Sequence, residues 1–194
     1  MSFREVLERH SWETTRERIL ARTPNEVARA LARAEEGTCD LDDFEALLSP
    51  AAAPRLEDLA RLSHERTVRR FGRTLQIFAP AYLSNECQNV CTYCGYSAGN
   101  RVARRTLSPA EILREAGALR RKGIDHVLLL TGESSKVGVD YLEAALGLLR
   151  PQFSSLSLEV QPLETAEYLR LRRQGLNAVL VYQETYHAEA YRTH

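Results

Sequence analysis

Apolar residues recur along this chain at two different spacings, and the change from one to the other falls near residue 72. Before it, Val27, Ala30, Leu31 and Ala34 stand three and four residues apart, which predicts one apolar helix face. Thr23, Pro24 and Glu26 ahead of them make a capping box with proline in the first turn, and Gly37 stands where such a helix stops. A second helix carries Leu41, Phe44, Leu47 and Leu48 and leads into the short connector Ser49-Pro50-Ala51-Ala52-Ala53-Pro54. A third covers about residues 56–71 and closes at Gly72. Residues 1–72 therefore read as an all-helical extension with no catalytic pattern in it.

From Arg73 onward short apolar runs alternate with helical patterns. Residues 75–83 are predicted as a buried strand. Ser108-Pro109-Ala110-Glu111 opens a helix with another capping box, Ile112, Leu113, Ala116 and Leu119 supply its buried face, and Gly123 ends it. Further strands are predicted over 126–130, 156–160 and 177–182, with helices over 140–150 before Pro151 and over 164–174 before Gly175. This alternation predicts an α/β fold with a parallel sheet of βαβ units, the rhythm of a TIM-barrel-like (β/α) barrel. Residues 73–194 hold four such units, about half of the roughly 250 residues of an eight-stranded barrel. Four strands alone leave an unpaired edge and an uncovered interior. The sequence thus reads as an incomplete barrel: a fragment, an interrupted reading frame or one half of a split protein.

Composition narrows the partners. With 44% hydrophobic residues the chain can bury a core, and its 26 basic and 26 acidic residues balance, so no net field favours nucleic acid or an anionic membrane. Arg101, Arg104 and Arg105 form the one local basic cluster, either a solvated loop or an anion contact. No apolar run approaches the ~18 to 20 residues needed to span a bilayer. No signal-peptide pattern is present and cysteines are few, so thiols rather than a disulfide framework are expected, in a reducing, cytoplasmic compartment.

Three of the four cysteines, Cys87, Cys91 and Cys94, fall within eight residues as C-x3-C-x2-C. Four ligands saturate a structural zinc, whereas three on a [4Fe-4S] cluster leave one iron open for chemistry. Zinc would need a fourth ligand, with Cys39, His126 and His187 the candidates, and no second C-x2-C pair exists. The triplet follows the first predicted strand and so falls at a strand's C-terminal end, where barrel sites are built. Thr131-Gly132-Glu133-Ser134 follows the second strand. Gly132 permits close backbone approach, and Glu133 can accept hydrogen bonds from an ammonium group. Glu159 interrupts an apolar strand and is expected to face a polar cavity, turning Leu158 and Val160 away and Gln161 back inside. Gln183-Glu184-Thr185-Tyr186-His187 reads either as a site wall after the fourth strand or as a helix cap beginning at Thr185. Tyr93 either packs over a bound cofactor or shields a cluster from solvent. His10, His64, His126 and His194 default to surface or cap positions.

These motifs also carry a resemblance. C-x3-C-x2-C is the signature of the radical S-adenosylmethionine enzymes, and the chain resembles one family among them, the ThiH tyrosine lyases (2-iminoacetate synthases) of thiamine biosynthesis. The strings that carry it are Phe78-Ala79-Pro80, Tyr82-Leu83-Ser84-Asn85, Cys94-Gly95-Tyr96-Ser97, Thr131-Gly132-Glu133, Lys136-Val137-Gly138-Val139-Asp140-Tyr141, Glu159-Val160-Gln161-Pro162-Leu163 and residues 181–187. The resemblance implies a [4Fe-4S] cluster on Cys87, Cys91 and Cys94 and S-adenosyl-L-methionine near Tyr93, Gly132, Glu133, Glu159 and Gln161. It implies tyrosine as substrate, cleaved to p-cresol and 2-iminoacetate, a one-electron reductant, and thiazole synthase as protein partner. It assigns no catalytic residue within these 194 positions. The related tyrosine lyase of hydrogenase maturation, a tryptophan lyase, a zinc-stabilised binding module and a non-catalytic remnant are the rival readings.

Overall fold

A computed structural model describes residues 3–193, and the chain divides into two compact units at Thr74 and Leu75. The first unit is helical: α1 (Phe3–Leu7), α2 (Trp12–Ala21), α3 (Pro24–Glu36), α4 (Leu41–Leu48), a 3-10 helix (Pro50–Arg55) and α5 (Leu56–Phe71). In α3 the Thr23 backbone N–H donates to the Glu26 carboxylate at 2.8 Å, and Gly37 closes the helix at φ 79°, a left-handed conformation that favours glycine. Val27, Ala30 and Leu31 bury against Ala46 and Ala52. The short connector expected after α4 takes the form of the 3-10 helix. Pro50 presets its first turn, and the alanines after it resist a tight coil weakly. In α4 the buried residues are Asp43 and Ala46, while Leu41, Phe44 and Leu48 are exposed.

The second unit alternates β1 (Phe78–Ser84), α6 (Pro109–Arg121), β2 (His126–Thr131), α7 (Val139–Leu149), β3 (Ser155–Glu159), α8 (Thr165–Arg173), β4 (Leu176–Val179) and α9 (Ala188–Arg192). The strands pair in sequence order, all parallel, into a single four-stranded sheet. That is the α/β, TIM-barrel-like order expected from the alternation. Alternate residues Leu83, Val127, Leu129, Leu156 and Leu158 face the helices and bury with Ile112, Ala116, Leu142, Leu146 and Leu171. Phe78 and Tyr82, one pleat away, stay exposed.

Several sequence expectations are corrected. The first strand begins at Phe78, leaving Leu75 and Ile77 exposed, because its ladder with β2 starts at Phe78 opposite His126, the first residue of β2. Leu113 is exposed as well, since α6 presents Ile112 and Ala116 to the sheet and Leu113 lies about 100° away around the helix. The fourth strand stops at Val179; beyond it only the Leu180 N–H still donates to Leu158 O, at 2.8 Å. The third ends at Glu159, one residue early, yet Val160 still packs on the core. The helix at the chain's end is capped by His187 rather than Thr185: its Nδ1 accepts the Ala190 N–H at 3.2 Å. His194 lies outside the described residues. Among the described residues no helix is long and apolar enough to cross a membrane.

Leu129 has no exposed surface at the centre of the core. Leu129→Ala is expected to lower stability by about 3 kcal/mol, read from urea unfolding of this unit. The capping acids predict a pH dependence. Backbone N–H groups of Thr23 and Ser108 hold the Glu26 and Glu111 carboxyls at about 2, below the ordinary 4.5. Their contribution is therefore complete above pH 4.5 and is lost as pH falls toward about 2. Glu26→Gln and Glu111→Gln should each flatten the fall in urea midpoint across that window.

Candidate metal centre

The cysteine loop leaves the C-terminal end of β1 and is tied at its neck to the chain that returns from it. Leu107 N–H donates to Leu83 O at 2.8 Å, the Ser84 and Thr106 hydroxyls meet at 2.8 Å, and Asn85 N–H donates to Arg105 O at 3.1 Å. The Asn85 side chain repeats the pairing, donating to Ala103 O and accepting from Arg105 N–H at 2.6 Å. From α7 the Tyr141 hydroxyl reaches both sides of the neck, 3.2 Å from Leu83 O and 2.9 Å from Leu107 O, and burial pushes its pKa up.

Within the neck the backbone is irregular, and short bonds hold it. Cys94 N–H donates to Cys91 O at 3.3 Å, Ala98 N–H to Asn89 O at 2.7 Å, and Asn100 Nδ2 to the carbonyls of Cys94 and Gly95. Tyr96 N–H points at Cys94 Sγ, 3.4 Å away, and its ring meets Tyr82 edge-on with centroids 5.9 Å apart. None of the four cysteines is in a disulfide. Among the described residues no three His, Cys, Asp or Glu side chains converge closely enough for a single metal ion.

The turn after β2 lies directly against this loop. Gly132 N–H donates to Ser84 O at 3.3 Å, and a Cβ at Gly132 would come within 2.7 Å of Cys87 Cβ and closer still to Glu86 O. Glu133 is fastened twice: its carbonyl accepts the Gln88 N–H at 2.8 Å, and its carboxylate accepts from Asn89 Nδ2 at 2.7 Å. Lys136 and Glu86 add an ion pair at 3.2 Å across the same seam. At the end of β2 and just past β3, Thr131 Oγ1 and Gln161 Oε1 are buried with no hydrogen-bond partner among the described residues, although Gln161 Nε2 donates to Val137 O at 3.1 Å.

The predicted residues are thus gathered unequally. Cys87, Cys91, Cys94, Gly132 and Glu133 share one bonded seam. Gln161 joins it through Val137. Glu159 stands opposite Leu130 in the ladder, level with the end of β2, and no bond joins it to the loop among the described residues. Tyr93 is more than half exposed as a residue, yet the loop atoms around its phenol and then the Glu184 carboxylate raise its pKa. Asn89, Cys91, Tyr93, Glu184 and Tyr191 line an open pocket of about 310 Å³. The zinc candidates are engaged elsewhere: Cys39 Sγ donates to Ala30 O in the helical unit, His126 meets Gln76 at the start of β2, and His187 caps α9. Asn85, Asn89, Arg104 and Tyr141 were not singled out as site residues from the sequence. Only their presence inside the motif strings or the basic cluster pointed to them.

The sequence pattern of the family described as Radical SAM superfamily matches residues 81–194. The chain is 50% identical over 184 residues to the 2-iminoacetate synthase of Escherichia coli (strain K12), covering 94% of this chain and 48% of that protein. The 2-iminoacetate synthase of Salmonella typhimurium is 48% identical over the same shares. The chain therefore spans about half the length of these relatives. Among solved structures, HydG, a maturase of the [FeFe]-hydrogenase, superposes with a TM-score of 0.86 at 22% identity, over 94% of this chain and 43% of that one. A likeness at that identity speaks for the fold alone.

Alanine at position 132 forces the Glu86–Cys87 backbone off the turn. Gly132→Ala should lower stability by about 1–3 kcal/mol and speed alkylation of Cys87 in metal-free protein. Unchanged Cys87 labelling would show that the seam does not hold the thiol.

Proposed function

The chain belongs to the radical SAM superfamily, and from that premise we propose that it carries the cluster-binding half of a tyrosine lyase, a 2-iminoacetate synthase. Membership implies a [4Fe-4S] cluster and S-adenosylmethionine. The donor set suits them: three unpaired thiols on one loop leave the fourth iron to a ligand from outside the protein. Thr131 Oγ1 and Gln161 Oε1, buried and unmet at neighbouring strand ends, suit a ligand rich in hydroxyl and amino donors. The choice of tyrosine as substrate rests on one observation, the 50% identity with the Escherichia coli 2-iminoacetate synthase.

In this reading Cys87, Cys91 and Cys94 hold the cluster. Asn89 occupies one oxygen of Glu133, and the carboxylate's remaining lone pairs accept the ammonium of the methionine moiety. Gly132 lets the turn close on the loop, Glu159 at the end of β3 and Gln161 just beyond it face the cofactor, and Tyr93 screens the cluster from water. When bound, cluster and cofactor supply the one-electron chemistry that opens the Cα–Cβ bond of tyrosine to p-cresol and 2-iminoacetate. Residues 1–72 are a helical extension, and residues 73–194 form the first four units of a barrel. The remaining units, on this chain or another, hold tyrosine. A one-electron reductant feeds the cluster, and thiazole synthase receives the short-lived imine.

Anaerobic reconstitution of residues 1–194 is expected to give about four irons and four sulfides per chain, and an EPR signal that shifts on adding S-adenosylmethionine. Cys91→Ala should lose both. One zinc without sulfide would overturn the reading. With tyrosine, S-adenosylmethionine and reductant, p-cresol should form only when the remaining barrel units are supplied. Turnover by residues 1–194 alone would refute the half-barrel assignment.

A further inference from the structure

Arg104 sits where the basic cluster suggested either a solvated loop or an anion contact, and it does neither of those things with its bonds. Its Nη1 donates to Asn85 O at 2.7 Å and to Tyr96 O at 2.8 Å, and its Nη2 donates to Ser97 O at 2.8 Å. Asn85 lies two residues before Cys87; Tyr96 and Ser97 lie two and three residues after Cys94. One guanidinium thus spans the entry and exit of the thiol-bearing segment. Between those points the chain has neither helix nor strand, so side chains must add to the few backbone bonds that close it, such as Ala98 N–H to Asn89 O. A planar fork with five N–H donors can serve three carbonyls at once, which a point-like ammonium does less well. Arg104 also forms no ion pair among the described residues, unlike Arg105, which pairs with Glu111.

We propose that Arg104 is the clasp of the cysteine loop, a positioning residue that holds Cys87 and Cys94 in register and thereby decides how firmly the bound iron is kept. The inference rests on the cluster reading of the three thiols. Its unbalanced positive charge remains available to the anionic group those thiols would hold. Asn85 is the clasp's second half, since its carbonyl takes the guanidinium while its side chain zips residues 103 and 105 to β1.

Two variants test this, Arg104→Met, which removes donors and charge, and Arg104→Lys, which keeps the charge and loses the fork. In metal-free protein, trypsin cleavage after the exposed Arg101 is expected to be about tenfold faster in Arg104→Met than in the parent, the loss of roughly one charge-assisted hydrogen bond. In reconstituted protein, iron loss to a chelator should accelerate by a similar factor, with a broadened EPR signal. Arg104→Lys should fall nearer to Met than to the parent, while Arg101→Met keeps iron normally. Far-UV CD should stay unchanged throughout; if Arg104→Met does not fold, Arg104→Lys alone decides. Parent-like cleavage and iron retention in the folded variants would overturn the clasp. Failure of the parent to bind iron would instead overturn the cluster reading, with the cleavage comparison still deciding whether Arg104 closes the loop.

Discussion

The parallel pairing of β1 with β2 sets Ser84 beside Thr131, and the candidate site hangs from that alignment. The ladder runs in step from Phe78 opposite His126 to Tyr82 opposite Leu130, then shifts, so that Ser84 rather than Leu83 meets Thr131. Ser84 is almost fully buried and is used three ways: its carbonyl accepts the Gly132 N–H, its hydroxyl accepts the Glu86 N–H, and the same hydroxyl meets Thr106. Turn, loop and returning chain are thereby tied to one residue. A slip of one position along this ladder would send Leu83 to the wrong face and part Gly132 from Cys87.

The core explains why that alignment is rigid. Leu83, Val127, Leu129, Leu156 and Leu158 stand in one layer beneath α6, α7 and α8, and their burial locks the heights of three strands against one another. The strand ends then become fixed points from which irregular loops can carry thiols and carboxylates without wandering. Tyr141 joins the two roles: its ring packs against the core, and its hydroxyl reaches both carbonyls at the loop's neck.

The elements were legible where local chemistry is strong. Thr23 with Glu26 and Ser108 with Glu111 announce helix starts because capping is satisfied within four residues of chain. The cysteine spacing was legible for a similar reason, since a ligand set on one loop needs no distant partner. The limits of β1 and β4 were not. Leu75, Ile77, Val181 and Tyr182 have the apolar character of strand residues, yet a strand persists only where a neighbour supplies its hydrogen bonds, and these residues are exposed and outside the ladder. Leu113 was misjudged because apolarity alone does not say which of two adjacent residues a helix turns inward.

The amino-acid sequence by itself determined the helical and α/β units, the parallel order of strands, the three-thiol loop and the Gly132-Glu133 turn, because each is written in spacing or capping over a few residues. Tertiary structure alone decided that Asn89 holds Glu133, that Arg104 closes the thiol loop, and that Gly132 is required by contact with Glu86 and Cys87. Those pairs lie up to about fifty residues apart, and only the folded ladder brings them within hydrogen-bond or van der Waals reach.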